Sequence, residues 1–73
     1  MPLGFRLDDA ERVVLNALGR HDLLGAGEIA EMVGAVDGVA WMERLLLKLG
    51  EHGVDLVVPG PARGGEPTYA LRR

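Results

Sequence analysis

The chain has 73 residues, a formal net charge of −3 and no cysteine. A chain of this length forms one domain, and without cysteine it has no disulfide bridge and no thiolate metal ligand. Its apolar runs are far shorter than the roughly 20 residues that cross a membrane, and the N-terminus lacks a signal-peptide pattern. We therefore expect one cytoplasmic domain, residues 1–73, without a membrane partner. The excess of Ala, Gly, Arg, Val and Leu suggests a bacterial source with a GC-rich genome.

The first predicted element is a helix over about residues 8–19. Asp8 and Glu11 have the spacing of a capping box, in which each side chain accepts a hydrogen bond from an otherwise unsatisfied backbone amide. Apolar residues then recur at helical spacing on one face: Ala10, Val14, Ala17 and Leu18. The pattern predicts an amphipathic helix with one buried face.

Two further helices are predicted over about residues 26–34 and 38–52. Gly34 can adopt the left-handed conformation that ends a helix, and Asp37 can cap the helix that follows. The third helix has a core-facing stripe formed by Met42, Leu45, Leu46 and Leu49. The short apolar segment Leu23–Leu24, before the second helix, fits either a brief strand or a buried connector.

A β-hairpin is predicted over about residues 54–72. Two β-rich runs, residues 54–58 and 68–72, flank a loop rich in Pro and Gly. The order of helix, helix, turn, helix and hairpin predicts an α+β winged helix-turn-helix: three helices followed by a two-stranded β-hairpin wing.

Three segments carry a family resemblance. Residues 7–18 resemble the first helix of winged-helix regulators of the MarR type, residues 27–34 resemble their second helix, and residues 49–54 resemble the passage from recognition helix to wing. The resemblance implies that the third helix enters the major groove of double-stranded DNA while the wing contacts the backbone. The chain departs from this pattern at residues 38–41, Gly-Val-Ala-Trp, where such regulators carry side chains that read base edges.

Four cations are the candidates for DNA contact, two on the third helix and two near the wing: Arg44, Lys48, Arg63 and Arg72. Arg44 and Lys48 are four residues apart and project together from the helix. The acidic net charge and two carboxylates on or near the same face, Glu43 and Glu51, oppose DNA binding. Of these two, Glu51 lies three residues after Lys48 and is expected to neutralise it.

The candidates for a protein contact are Ala40, Trp41 and Leu47. Leu47 points away from the predicted core and, with Ala40, can form an apolar patch that docks a partner or a second copy. Trp41 lies at the edge of the core stripe, where it fits a core lid better than a ligand platform. Two functions stay open: a DNA-binding transcriptional regulator, favoured narrowly as the more frequent use of the fold, and a protein-interaction or self-association module.

The sequence lacks the parts of a catalytic site. It has no Ser or Cys, and Thr68, Tyr69 and Lys48 have no base at a recognisable spacing. The two histidines, His21 and His52, lie at predicted helix ends, where stabilising the helix terminus is the commoner role. We therefore expect a protein that is not an enzyme, with no catalytic residue, metal, cofactor or small-molecule ligand.

Overall fold

A computed structural model describes residues 6–72 and shows an α+β domain of three helices and a three-stranded antiparallel sheet. The helices are α1 (Asp9–Arg20), α2 (Ala26–Val33) and α3 (Gly38–Glu51), and the strands are β1 (Leu24–Gly25), β2 (Val57–Pro59) and β3 (Thr68–Leu71). All three predicted helices are confirmed. The N-terminal segment considered for a signal peptide, residues 1–5, lies outside the described residues.

The predicted β-hairpin is present, since β2 and β3 pair antiparallel, but the sheet has three strands rather than two, because β1 forms within the segment that the sequence left open between a brief strand and a connector. The strand order is β1–β3–β2. Leu24 pairs with Tyr69 and Gly25 with Thr68, while Val57 on the other edge pairs with Leu71. A strand of two residues is too short to show an alternating pattern, so the sequence could not choose between a strand and a connector at Leu23–Leu24. Pairing with β3 makes Leu24–Gly25 a strand.

The predicted helix caps are present. Glu11 N–H donates to the Asp8 carboxylate, and Asp8 N–H donates to the Glu11 carboxylate, both at 2.8 Å. The Asp37 carboxylate accepts from the amides of Val39 (3.0 Å) and Ala40 (3.2 Å) at the start of α3. Gly34 has φ of 69°, the left-handed conformation expected at the end of α2.

The core is a single, mainly aliphatic cluster to which every helix and strand contributes. Its buried members are Val14, Leu18, Leu24, Ala26, Ile29, Met42, Leu45, Leu49, Val57 and Tyr69. Helix α3 approaches α2 closely at Gly38, where an added Cβ would collide with the Ala26 carbonyl. No helix within residues 6–72 combines the length and apolar character needed to cross a bilayer.

Candidate interaction face on helix α3

Helix α3 has an inner and an outer face that are both partly apolar. On the inner face Met42, Leu45 and Leu49 are at most 2% exposed. On the outer face Leu47 is 65% exposed, as the 3.6-residue repeat requires for a residue two positions after Leu45. The outward direction predicted for Leu47 is therefore confirmed.

An open groove of about 550 Å³ lies along the outer face and the preceding turn. It is lined by Ala35, Val36, Asp37, Ala40, Glu43, Arg44 and Leu47. Two of the three residues predicted for protein contact, Ala40 and Leu47, thus lie together in one depression. We call these seven residues the α3 groove.

The sequence interpretation missed Val36. Its side chain is fully exposed, at 105% of the reference area, and it extends the apolar surface of the α3 groove to the turn between α2 and α3. Such turns are normally formed by Gly, Asn, Asp, Ser or Pro. An exposed β-branched residue at this position was a signal in the sequence that could have revealed the groove.

Trp41 does not line the α3 groove. It is half-buried, packs against the core cluster, and borders a separate, polar pocket with Asp8, Glu11, Arg44 and Lys48. This packing agrees with the interpretation of Trp41 as a core lid. Arg44 borders both this pocket and the α3 groove.

Lys48 is held in an ion pair with α1. Its ammonium lies 2.8 Å from Oε1 of Glu11, the same oxygen that accepts from the Asp8 amide. Glu11 is only 8% exposed, so the pair is partly sheltered from water and screened less than a surface pair. The partner is Glu11 rather than the expected Glu51, because packing of α1 on α3 brings this distant carboxylate within reach.

The two cations near the hairpin also face carboxylates. Arg72 Nη2 lies 2.8 Å from Asp55 Oδ2, and Arg63 Nη1 lies 4.0 Å from Glu28 Oε1. These arginines are exposed, so the pairs are weak. Among the four cations predicted for DNA contact, Arg44 alone has no carboxylate within ion-pair distance in residues 6–72.

The loop between β2 and β3 folds back onto α2. Gly64 and Gly65, with φ of 59° and 82°, form the tight turn that brings Arg63 and Glu66 into a backbone bridge. The Glu66 carboxylate then accepts a hydrogen bond of 3.1 Å from the amide of Gly27 in the first turn of α2. The loop therefore supplies a negative charge to the N-terminus of α2, where such a charge is favourable.

The acidic side of the α3 groove influences the core. Tyr69 is buried, and this burial raises the pKa of its hydroxyl above 10.0. The negative charges of Glu43 and Asp37 raise that pKa further. Two carboxylates of the α3 groove are therefore close enough to the Tyr69 hydroxyl to act on its ionisation.

Thr68 was one of the side chains considered for nucleophilic chemistry. Thr68 is buried, and its hydroxyl donates a hydrogen bond of 2.6 Å to the Pro61 carbonyl. Within residues 6–72 no group of three His, Asp or Glu side chains is placed to hold a metal.

No family model matches the chain, and comparisons with curated proteins and with solved structures gave no significant match.

Proposed function

We propose that this chain is a winged helix-turn-helix domain, similar to those of MarR-type regulators, that serves as a protein-interaction module. In this proposal α2 and α3 form the helix-turn-helix, and β2 and β3 form the wing. The four-residue turn between Val33 and Gly38, with Gly34 in the left-handed conformation, supports the assignment. The docking surface is the α3 groove, at the position where DNA-binding members of this class read bases.

The observation that carries the proposal is the exposure of Val36 and Leu47 in one groove. Isolated exposed apolar residues are ordinary on soluble proteins, but here they are joined by Ala40 and Ala35 into a continuous depression. An apolar surface rimmed by charged side chains is the arrangement found at protein-binding sites. Burial of this surface by a protein partner would be favourable, whereas the charged phosphates of DNA make no favourable contact with apolar side chains.

The charges support the same choice. Nucleic-acid binding depends on cations that can displace counterions from phosphates, and Lys48 is already paired with Glu11. The outer side of α3 also exposes Glu43 and Glu51, which repel phosphate. The groove is therefore better matched to a protein than to a DNA duplex.

DNA binding is the second candidate, favoured by the helix-turn-helix order and by the unpaired, exposed Arg44. A transcriptional regulator with this face would hold DNA through Arg44 and the wing arginine Arg63, both of which are exposed. Such a contact would be non-specific, because neither Ala40 nor Leu47 can donate or accept a hydrogen bond at a base edge.

A duplex titration separates the two candidates. We expect fluorescence anisotropy of a labelled DNA duplex, measured at low salt where non-specific binding is strongest, to show no saturable binding by the wild-type chain. Binding that weakens with added salt and is reduced in both Arg44→Ala and Arg63→Ala would overturn the proposal in favour of DNA. Arg20→Ala, which removes an exposed positive charge on α1, is the control for the same change of net charge elsewhere on the molecule.

A second measurement tests the groove directly. Fluorescence of a hydrophobic dye should decrease in Leu47→Glu and stay at the wild-type level in Val13→Glu, which changes an exposed apolar residue on α1 (49% exposed). Equal decreases in the two variants would show that the groove is not a distinct apolar surface.

A further inference from the structure

We infer that the partner of the α3 groove is a second copy of this chain, packed through α3 with the two α3 helices parallel. This inference rests on the proposed protein-interaction function. Its starting point is the charge pattern of the groove, which carries the carboxylate of Glu43 and the guanidinium of Arg44 beside the apolar line of Ala40 and Leu47. A surface with both charges and an apolar centre is a candidate for self-complementarity.

The two charges lie on opposite sides of the apolar line. At about 100° per residue, Ala40 falls about 20° from Leu47, so the two residues lie nearly in line along the helix. Glu43 falls about 40° to one side of Leu47 and Arg44 about 60° to the other. Because both residues lie within the same turn, they have almost the same height along the axis.

A two-fold axis parallel to α3 makes this pattern complementary to itself. Each Glu43 then faces Arg44 of the second copy, so two opposite-charge pairs form at the same level. Leu47 meets Leu47 and Ala40 meets Ala40, seven residues or about two turns apart along the interface. The small Ala40 allows the helices to approach closely. The exposed Val36 lies in the same groove and is therefore part of the interface.

Antiparallel packing fits the groove less well. If it is centred between Ala40 and Leu47, each Glu43 faces Glu43 of the second copy and each Arg44 faces Arg44. If it is centred on Leu47, Arg44 can pair with Glu51, but the segment from Val36 to Ala40 extends beyond the end of the other helix. Parallel packing alone covers the groove and pairs its charges.

The expected dimer is weak and reversible. With 14 residues, α3 is about 21 Å long, so the contact belongs at the low end of specific interface sizes, below about 1,200 Å². A dissociation constant on the order of micromolar or weaker is expected for such a contact.

Sedimentation equilibrium of the full chain tests the charge pairs. The wild type should dimerise with rising concentration, and Glu43→Arg and Arg44→Glu should each weaken the dimer about tenfold or more, because like charges then face each other. The exchange variant E43R/R44E should restore it, whereas Arg20→Glu, a charge reversal on α1, should leave it unchanged. Failure of the exchange variant to recover dimerisation would overturn the parallel arrangement.

Cysteine cross-linking tests the direction of the helices, since the natural chain has no cysteine. Under mild oxidation Ala40→Cys should form a disulfide dimer by itself, because parallel packing brings the two Cα atoms within bonding reach, whereas the two antiparallel arrangements considered above separate them. Asn16→Cys, on exposed α1 surface, should stay monomeric. Cross-linking of Ala40→Cys only when mixed with Leu47→Cys would identify the antiparallel dimer and overturn the inference.

The same experiments distinguish failure of the second copy from failure of the proposed function. A chain that is monomeric at every concentration and does not bind duplex DNA would overturn self-association while leaving the groove as a surface for a different protein. Salt-dependent duplex binding reduced by Arg44→Ala would overturn the proposed function itself.

Discussion

Leu45 and Leu47 are two residues apart on the same helix, yet one is 2% and the other 65% exposed. Leu45 belongs to the buried core cluster, and Leu47 lies in the α3 groove. The two faces share a residue type but have different tasks: the inner face provides folding free energy, and the outer face is available for association. A small domain with a thin stability margin can therefore expose a leucine without weakening its core.

Substituting Leu45 and Leu47 gives the largest expected difference in the free energy of unfolding. Leu45→Ala should lower the free energy of unfolding by about 2–5 kcal/mol, because it removes buried methyl groups and leaves a cavity. Leu47→Ala should change it by less than about 0.5 kcal/mol. Urea unfolding followed by circular dichroism measures both; similar losses in the two variants would contradict the separation of the faces.

Two glycines of α3, one at the contact with α2 and one on the exposed surface, should respond in opposite ways to substitution by alanine. Gly38→Ala should destabilise the domain by about 1–3 kcal/mol, since the added Cβ collides with the Ala26 carbonyl and α3 must shift. Gly50→Ala, whose Cβ meets no atom within 4 Å, should stabilise the helix by up to about 1 kcal/mol. Thermal unfolding of the two variants should therefore move the midpoint in opposite directions, and a shared direction would argue against the tight α2–α3 contact.

Charged residues should also differ between the buried and the exposed side, with a smaller effect on the free energy of unfolding. Glu11→Ala removes the acceptor for the Asp8 amide and leaves Lys48 without its partner, at an expected cost of about 1–2 kcal/mol. The exposed Glu51→Ala should change the free energy of unfolding by less than about 0.5 kcal/mol. If urea unfolding gave equal values, Lys48 would not be held by α1 in solution.

The smallest expected effect links the groove to the core through Tyr69, the single tyrosine. Because burial, Glu43 and Asp37 raise the pKa of Tyr69 above 10.0, the folded state keeps the phenolic proton at a pH where the unfolded chain loses it. Stability from this source is therefore intact below about pH 10 and falls as the pH rises past it.

Tyrosinate absorbance during an alkaline titration measures this effect. Glu43→Gln should lower the pKa of Tyr69 toward 10.0, and Glu51→Gln should leave it unchanged. Tyr69→Phe should remove both the absorbance signal and this part of the alkaline destabilisation. An unaltered pKa in Glu43→Gln would show that the acidic side of the groove does not act on Tyr69.

The sequence alone determined the helices and their ends. Caps at Asp8 and Asp37 and the left-handed Gly34 depend on interactions within a few residues, so local pattern is enough to predict them. The outward direction of Leu47 follows in the same way from the period of the helix.

Tertiary structure decided what the local pattern could not contain. Strand β1 exists because Leu24 meets Tyr69, and Lys48 is neutralised because α1 places Glu11 beside it. The joining of Val36 to Ala40 and Leu47 depends on how the turn before α3 sits against the helix. Each of these features brings together residues that are distant in the sequence or separated by a turn. The neighbours of Leu47 and the ion-pair partner of Lys48 are therefore decided only when the helices and the sheet pack together.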